Sequence, residues 1–484
     1  MDSQLSPGAR QLICRSHYID GRWLDSPDTL TIYNPATGAP LASIAAAGAR
    51  EAELAITAAH RSLSAWQRMT MYQRGTRLRD WAEEIKSHRE ALAELMVFEQ
   101  GKPLNEALGE VDYGLSYLEW FIEEGKRSYG RLIPSADPHQ QLQVISQGIG
   151  VCAAITPWNF PMAMIVRKAA PALIAGCSLV VKPSEETPLT ALALARLAEQ
   201  AKLPAGLLNI LCGDPVSIGE TLTTDPRVRK LSFTGSTRVG KLLAAQSAPS
   251  LKRLSLELGG NAPFIVFEDA DLSAALQGLM VSKFRNSGQT CVCANRIYLQ
   301  RSIASEFIKQ LEEKLGSLTP GFGMKTESNQ GPLINQAAID KVEQLIEDAL
   351  TKGARCLTGG HRLEGSGNFF EPTVLLDIDE SMDICHQEIF GPVVAIQQFD
   401  DEAEVIRRAN DTPYGLASYC FTQNLARAKR LSLQLESGIV SINSGLFSAA
   451  QAPFGGLKES GYGKEGGTEG LNDYLDHKYI ALHD

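Results

Sequence analysis

The sequence predicts an α/β protein of two or three domains, one of them built on a parallel sheet. Three observations predict it. The chain has 484 residues, more than a single compact core holds. Four apolar, β-rich runs begin at Gly150, Cys177, Gly206 and Lys230 and close on turn residues Pro157, Pro183, Gly213 and Gly235. Helical stretches over 162–175, 188–201 and 216–223 separate them. That alternation marks βαβ units, which collect ligands at the C-terminal ends of their strands.

Taken in order, residues 17–45 read as a short β entry broken by Gly21 and Pro35. Helical periodicity then fills 50–128: one helix over 51–69, a long one over 72–99 stopped by Gly101 and Pro103, and a third over 104–125. After the βαβ series, a second α/β segment runs over 261–443 and contains a helix over 335–352 closed by Gly353. The tail from Lys458 is Gly-rich and ends in a strand-like run over 474–482. There is no internal repeat and no low-complexity segment.

Composition narrows the function classes. The chain is 44% apolar and 21% charged, a globular profile. A net charge of −10 argues against nucleic acid or an anionic membrane as partner. Paired arginines inside a pocket still allow a small anionic substrate. No apolar run reaches the roughly 18 residues that a membrane span needs, and the polar residues 1–16 lack the core of a secretory signal. The nine cysteines are irregularly spaced, with Cys152, Cys177 and Cys212 in apolar runs. They read as reduced thiols, which points to a cytoplasmic protein. No Cys/His set has zinc-ligand spacing, so no metal is expected.

Three local patterns carry chemistry. In Asn286-Ser-Gly-Gln-Thr-Cys291 a cysteine follows a small, polar loop. It is either a packed thiol or a reactive one with a depressed pKa. In Leu256-Glu257-Leu-Gly-Gly260 a glutamate sits between two leucines. It is either an edge carboxylate or a desolvated proton shuttle. In Pro157-Trp158-Asn159-Phe-Pro161, which follows the first βαβ strand, Asn159 either serves its own turn or donates its amide to an oxyanion.

Together with Lys182-Pro-Ser-Glu, Phe233-Thr-Gly-Ser, Glu388-Ile-Phe-Gly-Pro and Ala452-Pro-Phe-Gly-Gly-Leu-Lys458, these motifs resemble the aldehyde dehydrogenase superfamily over nearly the whole chain. The subgroup resembled most is that of succinate-semialdehyde dehydrogenases, with glutarate-semialdehyde dehydrogenases near. The resemblance implies a Rossmann-type cofactor domain (1–127 and 149–260), an α/β catalytic domain (261–443) and a small β extension for oligomerisation (128–148 and 458–484). It implies a homodimer or homotetramer.

It further implies that Cys291 is the nucleophile, Glu257 the base and Asn159 an oxyanion donor. NAD or NADP would be held by Ile155, Thr156, Trp158, Lys182, Ser184, Glu185, Gly213, Phe233, Gly235, Ser236, Leu258, Glu388 and Phe390. Glu185 favours NAD, because its carboxylate accepts from a 2′-hydroxyl and repels a 2′-phosphate. Arg167, Arg285 and Ser448 coincide with that subgroup's carboxylate contacts, so the expected substrate is a short ω-oxo acid. Between Ser448 and Pro453 the chain reads Ala-Ala-Gln-Ala, where a more polar stretch with a glutamate is expected; this leaves succinate and glutarate semialdehyde both open. Cys293 matches the second thiol of a regulatory disulfide. The other reading is a catalytically silent scaffold, against which Cys291, Glu257, Asn159, Lys182 and Glu388 stand together.

Overall fold

The computed structural model describes residues 5–483. Its larger sheet has eight strands, ordered Arg22–Leu24, His17–Ile19, Leu208–Ile210, Ser178–Lys182, Val151–Ile155, Val228–Thr234, Arg253–Glu257 and Gly461–Tyr462. The middle five are parallel. The first of them in sequence, Val151–Ile155, lies between Ser178–Lys182 and Val228–Thr234. Strand order therefore reverses beside it, and the crevice at such a switch point is where open α/β sheets bind ligands. The loops carrying Trp158–Asn159 and Gly235–Ser236 leave from the C-terminal ends of Val151–Ile155 and Val228–Thr234.

A second sheet of seven strands has Ala262–Val266 and Ala294–Gln300 near its middle, parallel to each other. Cys291 immediately precedes the second of these. A third, antiparallel sheet joins Arg131–Ile133, Gln140–Gly148 and Leu475–His483. Among the described residues no helix is long and apolar enough to cross a membrane, and no His, Cys, Asp and Glu cluster could hold a metal.

The helix Ala163–Ala175 is buried at every residue. A helix apolar all round is a core element, yet this one carries Arg167 and Lys168 in its middle, which then require counter-charges. Its first N–H groups, at Met162 and Ala163, are accepted by Glu110 at 2.9 and 3.1 Å. The helix expected over 72–99 is two helices, Met71–Ser87 and Arg89–Glu99. The break has a local cause: His88 leaves helical geometry, and its ring Nδ1 contacts Glu84 O at 2.8 Å. The helix expected over 335–352 is Gln336–Thr351, with Asn335 as its cap accepting Ala338 N–H at 3.0 Å.

Candidate active site

Cys291 is held at the end of a strained loop. Asn286, Ser287 and Gly288 all have positive φ (52°, 56° and 77°), an arrangement that persists only where surroundings over-determine it. A Cβ at Gly288 would overlap the carbonyl of Gly391. The loop's polar side chains are its fastenings. Asn286 Nδ2 donates to Asn159 O (3.1 Å), Ser287 Oγ to Gly331 O (2.8 Å) and Gln289 Nε2 to Pro332 O (3.2 Å), while Gln289 Oε1 accepts Ile334 N–H (2.9 Å). Residues 286–290 are buried, not an open loop.

Two cavities meet at Cys291, of about 360 and 230 Å³. Burial pushes its thiol up to about 12, with Glu388 adding to the effect and Arg167 opposing it. The resting thiol is thus protonated at neutral pH, and attack needs a base.

Glu257 ends its strand in the larger cavity. Both carboxylate oxygens are buried without a hydrogen-bond partner among the described residues. Burial, then repulsion from Glu465, holds its pKa well above the usual carboxylate range, against Arg167, Lys168 and Lys464. Asn159 Nδ2 gives one hydrogen to Gln289 O at 3.0 Å, and its Oδ1 has no partner. Its own carbonyl is fixed by Lys102 Nζ at 2.8 Å. Lys102, read from sequence only as part of a helix stop, is a fully buried ammonium paired with Glu110.

The larger cavity is also lined by Trp158, Gly235, Ser236, Leu258, Glu388 and Phe390. The Trp158 and Phe390 rings meet edge-on at 5.6 Å. Ser236 caps the helix Thr237–Ser247, accepting Val239 N–H at 3.4 Å. Burial raises Glu388 to about 7, Lys341 opposing; its Oε1 accepts Gly260 N–H at 3.2 Å. Lys341, which lines the same cavity as Glu388, was not expected. It lies beside the apolar stripe of the helix Gln336–Thr351, where nothing in the sequence distinguishes it from a surface lysine.

The other expected cofactor residues do not line this cavity. Ile155 and Lys182 are the last residues of paired strands, and Thr156 N–H continues the ladder to Lys182 O at 3.1 Å. Lys182 and Glu185 form an ion pair, with Ser184 buried between them. Phe233 packs its ring on Gly235, and Gly213 bridges to Ala47, whose backbone leaves no room for a Cβ.

Arg167, Arg285 and Ser448 all line the smaller cavity. The arginines are not equivalent. Arg285 lies over the Phe160 ring at 5.4 Å, with no ion pair or hydrogen bond among the described residues. Arg167, 1% exposed, gives its Nε–H to Glu465 and stacks on Phe454 at 4.4 Å. Cys293 is buried. Its thiol is 3.6 Å from both Lys283 O and Ala294 O, and both it and Cys291 are free thiols.

The family model for the aldehyde dehydrogenase family matches residues 23–480. The chain belongs to the aldehyde dehydrogenase family. It is 51% identical to the succinate-semialdehyde dehydrogenase [NADP(+)] of Escherichia coli, over 96% of this chain and 97% of that one. It is 49% identical to the glutarate-semialdehyde dehydrogenase of Pseudomonas aeruginosa, over 98% of each. The solved succinate-semialdehyde dehydrogenase from Burkholderia pseudomallei superposes with a TM-score of 0.97 at 48% identity, covering 99% of both chains.

Aldehyde dehydrogenases use NAD(P), and the larger cavity fits the reacting half of that cofactor. Gly235 and Ser236 bring a helix N-terminus suited to phosphate. Glu388, half-buried with one backbone partner, offers a second oxygen suited to a ribose hydroxyl.

Proposed function

We propose that this chain oxidises succinate semialdehyde to succinate, reading its free carboxylate with Arg285. The observation that carries the proposal is the unpaired Arg285 guanidinium in the same cavity of about 230 Å³ as the Cys291 thiol. A charge-assisted hydrogen bond contributes roughly 1.5–3 kcal/mol. Ser448 and the terminal amines of Arg167 complete the contact.

Glu257 takes the Cys291 proton, and the thiolate attacks the aldehyde carbonyl. The oxyanion of the thiohemiacetal is held by the second amide hydrogen of Asn159 and the Cys291 N–H; one such donor is worth about 3–4 kcal/mol. Glu388, Phe390, Trp158, Leu258, Gly235 and Ser236 would hold NAD(P), with residues 155–156, 182–185, 213 and 233 available to its adenosine half, and the bound cofactor would accept the hydride. The thioester left on Cys291 is hydrolysed by water that Glu257 deprotonates. Glu185 favours NAD, though its pairing with Lys182 blunts its repulsion of a 2′-phosphate.

A second reading, glutarate semialdehyde, is favoured by the run Ala449-Ala-Gln-Ala452 after Ser448, where the resembled subgroup is expected to carry a more polar stretch with a glutamate. One methylene is worth only about 1–3 kcal/mol. The Arg131–Ile133, Gln140–Gly148 and Leu475–His483 sheet, with Tyr129 and Leu132 exposed, suits the oligomerisation role, and Cys293 the resolving thiol of a reversible disulfide. Reduced-nicotinamide absorbance with succinate semialdehyde, glutarate semialdehyde and propanal tests the assignment. The highest kcat/KM is expected with succinate semialdehyde, and no turnover of any of the three would leave only a scaffold.

A further inference from the structure

Arg167 lines the smaller cavity and Glu257 the larger one, and a single buried carboxylate stands between them. One oxygen of Glu465 accepts Arg167 Nε–H. The other accepts Lys168 Nζ and Ser232 Oγ, the latter at 3.2 Å, and Lys168 also reaches Thr234 Oγ1 at 2.6 Å. Glu465 is paired through its backbone with Phe454, N–H to O in both directions at 2.6 and 2.8 Å. Phe454 puts its ring under the Arg167 guanidinium. One bridge thus gives Arg167 both its counter-ion and its stacking surface. The two terminal amines of Arg167 have no hydrogen bond among the described residues. The next residue after Phe454, Gly455, lies against the Glu257 carboxylate, where a Cβ would stand 2.7 Å from Oε1.

We propose that Glu465 is a positioning residue that couples the substrate-side cation to the general base. It holds Arg167 so that the terminal amines meet the substrate carboxylate, and its charge sets how tightly Glu257 holds a proton. The proposal rests on reading Glu257 as the base. Like charge nearby strengthens a carboxylate's hold on its proton, and opposite charge weakens it. The charged and titratable groups facing Glu257 are Glu465, Arg167, Lys168, Lys464 and Cys291. Those facing Glu465 are Arg167, Lys168, Glu257, Lys230, Tyr117 and Tyr474. Among the groups around Glu465, Arg167 also lines the substrate cavity. A carboxylate arriving on its terminal amines therefore adds an anion to the set around Glu257, strengthening the base for the acyl-enzyme that bears that carboxylate.

The test is the pH dependence of thioester hydrolysis, read as kcat after a confirmed burst of reduced cofactor. It uses propanal, which has no carboxylate, and succinate semialdehyde. With propanal, Glu465→Gln is expected to move the acid limb to lower pH and Arg167→Met to higher pH, each by about one unit. In the unmodified enzyme the limb lies at higher pH with succinate semialdehyde than with propanal. Glu465→Gln also raises KM for the semialdehyde acid and leaves that for propanal, while Glu465→Asp restores part of both effects. Should Glu465→Gln not fold, Arg167→Met and the two-substrate comparison decide alone. One acid limb shared by all variants and both substrates overturns the coupling. A Glu257→Gln enzyme that hydrolyses its thioester at the full rate instead overturns the underlying reading of the base.

Discussion

The two cavities share Cys291 and hold their polar groups in different ways. On the larger side, Asn159, Gly235, Ser236 and Glu257 sit at strand ends or in the loops that leave them, so the sheet's topology places them. On the smaller side, Arg167 comes from the middle of a fully buried helix and Ser448 from an irregular segment; Phe454 and Glu465, which fix Arg167, come from distant chain. The electrostatics differ as well. Glu257 and Glu388 line the larger cavity together with Lys341, while both guanidiniums, Arg285 and Arg167, line the smaller one, where Glu110 is paired with Lys102 and Glu106 accepts Asn286 N–H. The nucleophile is reached from one side that holds Glu257 and from another that holds both guanidiniums. An anionic substrate of the proposed kind would meet Arg285, which has no ion pair among the described residues, even on a protein of net charge −10.

The largest effect should come from the side that holds Glu257. Glu257→Gln is expected to lower kcat roughly 10²–10⁴-fold, the usual worth of a general base. Both the burst of reduced cofactor, which reports attack by the thiol, and the turnover that follows it should slow. Because burial raises the Glu257 pKa, the deprotonated, active form gains population as pH rises, so hydrolysis in the native enzyme should speed up with pH through that raised value. Asn159→Ala should cost about 10²–10³ in kcat with little change in either KM. An unchanged kcat would remove Asn159 from the oxyanion site. Lys341→Ala separates the two sides: KM for the cofactor should rise about tenfold while KM for the aldehyde stays. A rise in both would blur the division. The smallest effect is expected at Glu185→Gln, a few-fold shift of kcat/KM toward NADP.

Much of the larger cavity was legible because strand ends announce themselves. Pro157-Trp-Asn and Thr234-Gly-Ser follow apolar runs, and turn chemistry fixes where such runs stop. Arg167 and Arg285 came only with the resemblance to a subgroup, since a lone arginine in a helix carries no local mark. Glu465 is 298 residues from Arg167, and nothing in Gly-Lys-Glu465-Gly-Gly distinguishes it from a loop carboxylate. Lys102 and Glu110, which fix Asn159 and the buried helix, were likewise hidden, because their burial is a product of packing. The split of the 72–99 helix was missed for a different reason: a histidine ring reaching its own helix's carbonyl leaves the periodicity intact.

The most direct test sits on the side that holds Arg285. The ratio of kcat/KM for succinate semialdehyde to that for propanal should be measured in the native enzyme and in Arg285→Ala. A charge-assisted contact of this kind predicts that the ratio falls roughly 10- to 100-fold on losing the guanidinium, with the propanal value nearly unmoved. Equal losses for the charged and uncharged aldehydes would contradict the account.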